Sequence, residues 1–203
     1  MPPPKVPPSG FVEPCIPTLA YKVPSGPGWI HEVKHDGYRL QVRRDGEDVR
    51  LFTRRGFDWT DRYPAIVRTA LKLPAKSCTL DGEAVVCGGD GIAVFEDIHR
   101  RGVVTEAMLY AFDLLEFGGE DLRPFPLSDR KRLLAKVVGR RSLGIVLSQH
   151  TDEDIFRGVC QMGLEGVVSK RLSSPYRSGR STDWLKIKNP DSPAMIRARE
   201  GEW

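Results

Sequence analysis

The 203-residue sequence has no long hydrophobic run and few cysteines, and both absences exclude classes of protein. No apolar stretch approaches the roughly 18 residues that a membrane-spanning helix needs. Residues 1–8 are rich in proline and poor in apolar side chains, so they do not match a secretory signal peptide. The 4 cysteines form no C-x-x-C pair, which argues against a zinc knuckle or a redox motif. We therefore expect a cytoplasmic protein that does not associate with membranes.

The amino-acid composition is that of an ordinary globular protein, with a small excess of positive charge. Hydrophobic residues make up 40% of the chain, charged residues make up 29%, and the formal net charge is +4. This length fits one domain, with or without tails. Basic side chains are concentrated in residues 165–200. Their charge fits a phosphate-binding surface and a solvated basic face equally well.

The spacing of the apolar residues predicts an α+β domain in which antiparallel sheets carry flanking helices. Residues 1–28 lack periodicity and are expected to form a proline-rich arm, residues 29–190 the folded domain, and residues 191–203 a short tail. Asp45-Gly46 predicts a hairpin turn. Predicted strands are 29–33, 38–43, 49–53, 78–87, 91–95, 108–115, 144–148, 166–170 and 183–187, and predicted helices are 63–71, 128–138 and 152–162.

The first candidate site is segment 32–39, with the sequence EVKHDGYR. Lys34, Asp36 and Arg39 lie within six residues of one another, directly after an apolar strand. A lysine amine can attack a phosphorus centre once it is deprotonated, which burial near other cations favours. Gly37 permits a tight turn that brings its neighbours close to a ligand. A motif this short also fits a charged hairpin, so it does not establish a function by itself.

Two further segments lie on predicted strands in the middle of the chain. In Asp81-Gly82-Glu83 the two carboxylates are spaced i and i+2, so they share one face of a strand. These two carboxylates are suited to contacting a ribose or to binding magnesium. The alternative is that the aspartate is a turn residue and the glutamate lies at the surface. Phe112 lies on an apolar strand, where an aromatic ring either packs in the core or stacks on a base.

The last two segments belong to the basic C-terminal part of the chain. Glu165 precedes the strand Gly166–Lys170 and is suited either to capping or to binding Mg²⁺ through a hard oxygen. Lys186 and Lys188 share one face of a strand, which indicates a bound polyanion or an amphipathic edge strand.

The order and spacing of these five segments resemble the motif series of the covalent nucleotidyltransferases, which comprise DNA ligases, RNA ligases and mRNA capping enzymes. Five ordered motifs coincide by chance far less often than one. The chain most resembles the adenylation domain of ATP-dependent DNA ligases of the bacterial end-joining and stand-alone types, over roughly residues 10–190. This resemblance implies the ATP-grasp-like nucleotidyltransferase fold of DNA ligases.

The resemblance also implies the chemistry and the ligands. Lys34 attacks the α-phosphorus of ATP and becomes lysyl-AMP, Lys186 and Lys188 hold the α-phosphate, and Glu165 and Glu83 bind Mg²⁺ or Mn²⁺. The residues expected to contact the nucleotide are Glu32, Val33, Arg39, Arg54, Glu83, Phe112, Glu165, Lys186 and Lys188.

Particular roles follow from the same resemblance for the base and for the nucleic acid. Glu32 accepts the amino group of adenine, and Phe112 stacks on the base. Arg54, with Arg39, holds the 5′-phosphate of a nick, and Asp36 lies near the 3′-hydroxyl. The expected substrate is nicked duplex DNA in a bacterial, nucleoid-associated setting.

In this family an oligonucleotide-binding barrel follows the K-x-K strand, whereas residues 191–203 are too few for one. This fits a natural minimal ligase as well as a piece of a longer protein, and a DNA end-binding or barrel-containing partner is a further expectation. An RNA ligase or a capping enzyme shares the lysine chemistry, although a carboxylate at Glu32 would face the carbonyl oxygen of guanine. A non-catalytic nucleotide- or DNA-binding module is a third alternative.

Overall fold

The computed structural model describes residues 9–89, 91–139 and 144–201. Residues 1–8 of the predicted arm, residue 90 in the predicted hairpin connection and residues 202–203 of the predicted tail lie outside the described residues. Within the described ranges, no helix combines the length and the apolar character needed to cross a membrane.

Strands and short helices alternate along the described chain. The strands are β1 (Cys15–Leu19), β2 (Trp29–Lys34), β3 (Tyr38–Asp45), β4 (Asp48–Thr53), β5 (Ser77–Val85), β6 (Met108–Phe117), β7 (Glu120–Asp121), β8 (Ile145–Leu147), β9 (His150–Thr151), β10 (Gly166–Arg171) and β11 (Gly179–Lys188). The helices are α1 (Pro64–Ala70), α2 (Phe95–His99), α3 (Leu127–Val138), α4 (Phe156–Gln161) and α5 (Pro193–Glu200), with a 3-10 turn at Thr60–Arg62.

The strands form two sheets. The first sheet has the order β1-β11-β10-β2-β9, and the second has the order β4-β3-β5-β6-β7, with β8 also paired to β6. Most pairs are antiparallel, and the parallel pairs among the described strands are β1 with β11 and β6 with β8. Together with the flanking helices, this arrangement confirms the predicted α+β class of antiparallel sheets.

Two apolar clusters hold the sheets and helices together. The larger one lies between the second sheet and helices α1 and α3, where Leu40, Leu80 and Leu134 are fully buried. The smaller one joins the two sheets, because Cys15 and Trp184 of the first sheet pack with Leu115 of the second. The pocket described below opens beside this smaller cluster.

Several segments differ from the sequence-based expectation, and one of them is the predicted helix 152–162, which begins only at Phe156. Residues 15–19, inside the predicted arm, form β1 and add an edge strand to the first sheet. The predicted strand 91–95 is reduced to an isolated bridge: Ala93 pairs with Cys87, the Val94 amide donates to the Val86 carbonyl and the Gly88 amide to the Ile92 carbonyl, and the chain then turns into helix α2 at Phe95. The predicted tail carries helix α5, which the sequence analysis did not foresee.

Candidate active site

A cavity of about 740 Å³ lies between the two sheets. Residues of β2, β3, β5, β6, β10 and β11 line it, so every long central strand of both sheets contributes. Eight of the eleven residues proposed from the sequence line this cavity: Glu32, Val33, Lys34, Arg39, Arg54, Glu83, Phe112 and Lys186. The other three, Asp36, Glu165 and Lys188, lie next to lining residues and are described individually below.

Lys34 is the last residue of β2, and its side chain enters the cavity. Gly166 pairs with Lys34 across the antiparallel β2–β10 ladder, which places the preceding residue, Glu165, beside the lysine. The Lys34 ammonium forms an ion pair with the Glu165 carboxylate, with 24% of the lysine side chain and 8% of the glutamate side chain exposed. Two motifs that are 131 residues apart in sequence therefore meet at one point.

Glycines allow the chain to pass closely on both sides of Lys34. A Cβ atom at Gly37 would overlap the carbonyl oxygen of Ala84, and one at Gly166 would overlap that of Ile187. Gly166 also has a φ of +145°, which L side chains rarely adopt. Gly37 has no positive φ, so it is required for the close approach of β3 to β5 and not for the tight turn that the sequence suggested.

The two carboxylates of the D-G-E segment have different positions: Asp81 is buried beneath the cavity, whereas Glu83 lines it. The Asp81 carboxylate is fully buried and accepts two hydrogen bonds from the Arg39 guanidinium, at 3.0 and 2.7 Å, and one from the Tyr176 hydroxyl at 2.6 Å. The interpretation of Asp81 as a ribose or metal contact is therefore wrong, because its oxygens already have partners. Glu83 instead lines the cavity.

The carboxylates of Glu83 and Glu165 lie near Lys34 and could bind a cation. Burial raises the pKa of Glu83 to about 7, with Lys34 and Arg39 opposing the shift and Glu165 adding to it. No group of three or more potential metal ligands occurs in the part of the chain that the structure describes. Mg²⁺ commonly takes one or two protein carboxylates and completes its shell with substrate phosphates and water, so Glu83 and Glu165 fit such an ion.

One end of the cavity carries positive charge. Lys186 of β11 lines it, and partial burial together with the neighbouring Lys34 and Lys188 lowers the pKa of Lys186. Arg54 is exposed at the rim. Lys188 is outside the cavity lining, and its ammonium contacts the Met195 thioether at 3.4 Å. One of the two lysines predicted to act together is therefore engaged with helix α5.

The opposite end of the cavity is aromatic and holds a buried lysine. Phe112 is partly buried and meets the fully buried Trp184 edge to face, with ring centroids 6.0 Å apart. The Lys170 ammonium lies 4.1 Å from each of these two ring centroids. Such cation–π contacts stabilise a charge that is removed from water. The Arg39 guanidinium also lies 5.2 Å from the Phe112 ring centroid, so two cations lie over this ring, which lines the cavity.

Glu32 lies at this end and is almost completely buried. Its Oε2 accepts hydrogen bonds from Ser148 Oγ and Lys170 Nζ, each at 3.1 Å, and Lys131 of helix α3 forms an ion pair with Oε1. Burial alone would raise the pKa of Glu32, but the two lysines outweigh it and the pKa is lowered. The carboxylate is therefore charged in the folded protein.

Asp36 lies beyond the cavity lining, at the start of the loop after β2. Its carboxylate forms an ion pair with Arg197 of helix α5, and the Arg197 guanidinium also lies 3.8 Å from the centre of the Phe95 ring. This aspartate is accessible to a ligand only at its remaining 27% exposed surface. Helix α5 thus contacts two of the proposed site residues, Asp36 and Lys188.

Sequence reasoning missed three residues of this site. Lys170 ends the predicted strand Gly166–Lys170, and a lysine at an inward-facing strand position is a usable signal of a functional role. Ser148 follows β8 and Lys131 lies on a helix that was predicted without any functional residue. Nothing in the local sequence signals that these two meet Glu32.

Comparisons with known proteins identify the family to which this chain is similar. A family model described as the ATP dependent DNA ligase domain matches residues 17–188. The multifunctional non-homologous end joining protein LigD of Pseudomonas aeruginosa is 40% identical over 194 residues, covering 91% of this chain and 23% of that protein. A probable DNA ligase of Anaeromyxobacter sp. is 37% identical over 189 residues, covering 85% of this chain and 36% of that protein.

A solved structure has the same fold. The mycobacterial DNA ligase D complexed with ATP and MES matches with a TM-score of 0.74 and 31% identity, covering 86% of this chain and 59% of the chain in that structure. The present chain spans well under half the length of either of the two sequence relatives.

Proposed function

This chain belongs to the ATP-dependent DNA ligase family, and we propose that it carries the adenylation site, transferring AMP from ATP to Lys34 and then to the 5′-phosphate of nicked DNA. The observation that carries the proposal is the position of Lys34. It ends β2 inside a cavity that has an acidic pair beside the lysine, a basic end at Lys186 and an aromatic end at Phe112.

In the first step, ATP lies along the cavity with its base on Phe112 and its α-phosphate near Lys186. The deprotonated Lys34 amine attacks the α-phosphorus, the bond to the β-phosphate oxygen breaks, and pyrophosphate leaves. Phosphoryl transfer depends mainly on positioning and on neutralising charge, which suits a site with several cations. The Lys34–Glu165 ion pair holds the amine in place before the nucleotide arrives.

Glu83 and Glu165 would hold Mg²⁺ or Mn²⁺. Such an ion neutralises the phosphate charge during the transfer.

In the later steps, AMP moves from Lys34 to the 5′-phosphate of a nick, and a 3′-hydroxyl then displaces AMP and seals the strand. Arg54 is exposed at the rim of the cavity and is suited to the 5′-phosphate. Arg39 is held by Asp81 and reaches the ligand from the cavity wall. Asp36 lies beyond the lining, and its proposed role at the 3′-hydroxyl follows from the family resemblance.

We further propose that residues 29–190 form the adenylation domain, with β1 completing its first sheet and residues 191–203 forming a tail. The substrate is nicked duplex DNA, which a DNA end-binding or barrel-containing partner helps to hold. The setting proposed for this activity is the bacterial nucleoid.

The relatives favour a DNA ligase over the three alternatives weighed from the sequence. The matching family model, the Anaeromyxobacter relative and the matching solved structure are described as DNA ligases, not as RNA ligases or capping enzymes. A non-catalytic module would not need a lysine, two carboxylates and a basic strand to meet in one cavity.

The test is incubation of the chain with ATP labelled at the α-phosphate and Mg²⁺, followed by denaturing electrophoresis. We expect a covalent label with ATP that is absent with GTP and absent without a divalent cation. Lys34→Ala and Lys34→Arg should both remain unlabelled, because a guanidinium stays protonated and is not a nucleophile. Label that persists in both variants would refute the assignment of Lys34.

A further inference from the structure

Helix α5 follows the end of β11 and reaches the loop after β2, next to Lys34. Lys34 at the end of β2 pairs with Gly166, which in turn pairs with Lys188 at the end of β11. The chain leaves β11 at this edge of the site and continues as α5, whose Arg197 forms the ion pair with Asp36. The matching family model ends at residue 188, so α5 is not part of the segment by which the chain matches its family.

The N-terminal end of α5 is fixed more firmly than the helix itself. The side-chain amide of Asn189 donates to the Leu164 carbonyl at 3.0 Å, and its backbone amide donates to the Glu165 carbonyl at 2.9 Å. Asn189 is buried, and so is Ser192, which caps the helix. Residues 193–200, in contrast, include no buried side chain. The helix is therefore anchored at one end and is free to open about that end.

Arg197 holds the body of α5 next to the site. Its guanidinium contacts the Asp36 carboxylate through the ion pair and lies 3.8 Å from the centre of the Phe95 ring. The second contact of α5 with a proposed site residue is weak, because Lys188 Nζ lies 3.4 Å from the Met195 thioether, which is a poor acceptor. Opening α5 therefore breaks an ion pair and a cation–π contact without exposing a buried core.

The closed position of α5 occupies a side chain that the later reaction steps would need. Asp36 is proposed to act at the 3′-hydroxyl, but its carboxylate is bound to Arg197 and its side chain is only 27% exposed. The described lining of the cavity, by comparison, includes no residue of α5. The closed helix thus leaves the cavity open to a nucleotide, whereas a nick that uses Asp36 must first displace Arg197.

We propose that α5 is an autoinhibitory strap: in the free protein Arg197 masks Asp36, and binding of nicked DNA requires α5 to open about its anchor at Asn189. The inference rests on the proposed function, because it assumes that Asp36 acts at the 3′-hydroxyl of a nick. The apparent affinity of a ligand that binds only the open state is reduced by the fraction of protein that is open. Breaking the pair of Arg197 with Asp36 should therefore strengthen nick binding and leave the chemical step unchanged.

The first experiment measures sealing of a pre-adenylylated nick by the wild-type chain and by Arg197→Ala, at one low salt concentration. The apparent KM for the nick should fall by about threefold to fivefold in the variant, the factor by which a partly exposed ion pair biases a two-state equilibrium. The kcat should remain nearly unchanged. Labelling of Lys34 by ATP should change less than the KM for the nick, because the closed helix does not line the cavity.

Arg199→Ala is the matched control, because it removes an exposed arginine from the same helix that contacts the Pro190 carbonyl and not Asp36. It should not lower the KM for the nick. Thermal unfolding shows whether each variant is folded, and Arg197→Gln takes the place of Arg197→Ala if the latter does not fold.

Hydrogen exchange gives a readout that does not depend on activity. In the Lys34→Ala chain, which lacks the proposed nucleophile, nicked DNA should speed amide exchange in residues 193–200 by at least about threefold, because it binds the open state. Without DNA, Asp36→Asn should speed exchange in these residues as much as Arg197→Ala does. The double variant should exchange no faster than either single variant, because both remove the same contact.

A lower kcat/KM for the nick in folded Arg197→Ala would mean that Arg197 supports sealing, and it would overturn the inference. An unchanged KM would overturn it too, as would exchange in residues 193–200 that nicked DNA slows or leaves unchanged. A wild-type chain that neither labels Lys34 nor seals nicks would instead refute the proposed function. The exchange measurements would then still decide whether nicked DNA opens α5.

Discussion

Asp81 lies under the active site and holds Arg39 in the cavity wall through two hydrogen bonds. Removing the carboxylate in Asp81→Ala leaves a guanidinium that is only 12% exposed without its anionic partner. We expect a loss of about 3–5 kcal/mol in the free energy of unfolding, because breaking one side of a buried ion pair leaves the other charge uncompensated. Urea denaturation measures the change.

The control for this prediction is Asp45→Ala, because the Asp45 side chain is 63% exposed and its ion pair with Arg43 lies at the surface. Such a substitution should change the free energy of unfolding by less than about 0.5 kcal/mol. If the two variants unfold at the same urea concentration, Asp81 does not have the supporting role that its contacts indicate.

Phe112 separates the two interpretations that the sequence left open, core packing and base stacking. It lines the cavity and is only partly buried, so Phe112→Ala should weaken ATP binding by about 1–3 kcal/mol, the value of a base–aromatic stack. Phe125→Ala is the control, since Phe125 is 42% exposed and outside the cavity lining. Calorimetric titration with ATP on folded variants gives both affinities. Equal affinities would assign the ring to the core alone.

The sequence predicted individual site residues better than their partners. Lys34, Glu165 and Lys186 could be proposed because motif order and the two-residue period of strands identify them locally. The contacts of Asp81 with Arg39 and of Lys131 with Glu32 could not be predicted. They join residues that are 42 or more positions apart, and their meeting depends on sheet register and on which helix face packs inward.

At the scale of elements, helix α5 was not predicted, although its sequence carries start and stop signals for a helix. Ser192 caps the helix by accepting a hydrogen bond from the Met195 amide, Pro193 occupies its first turn, and Gly201 follows with a φ of +75°. These are ordinary start and stop signals for a helix. Alternating residues at 91–95, in contrast, suggested a strand in a glycine-rich segment where the ladder does not continue.

Helix α5 has no buried residue, so its position depends on a few side-chain contacts. The ion pair of Arg197 with Asp36 is one of these contacts. Arg197→Ala should therefore speed amide hydrogen exchange in residues 193–200, because little else holds the helix closed against local opening. Hydrogen exchange followed by mass spectrometry measures this.

Arg199→Ala is the matched control, because Arg199 is exposed and donates to the Pro190 carbonyl on the same segment. It should change the exchange of residues 193–200 less than Arg197→Ala does. Equal exchange in both variants would mean that the contact with Asp36 does not hold the helix in place.

At the scale of the whole molecule, the two proposed reactions use different surfaces. Adenylylation takes place inside the cavity, whereas sealing needs phosphate contacts on the exposed rim around Arg54. Phosphate contacts release counterions, so we expect sealing to fall at least about tenfold between about 50 and about 200 mM salt. Labelling of Lys34 should fall much less. Parallel assays of labelling, nick sealing and sealing of a pre-adenylylated nick make the comparison.

Arg54→Ala should lower sealing at every salt concentration, and by more than it lowers labelling, because Arg54 lies at the exposed rim of the cavity. Arg132→Ala is the control, because Arg132 is 66% exposed on helix α3 and outside the cavity lining. Sealing that is insensitive to salt, or that both variants lower equally, would contradict a role for the rim in holding DNA.

The central claim is that Lys34 carries AMP, and the most direct test is to locate AMP on the chain. Wild-type protein is incubated with ATP and Mg²⁺, digested, and analysed by tandem mass spectrometry. We predict AMP on the peptide that contains Lys34, with fragment ions that assign it to that side chain. Lys170 and Lys186 also line the cavity, and AMP on either of them, or on no lysine at all, would contradict the account.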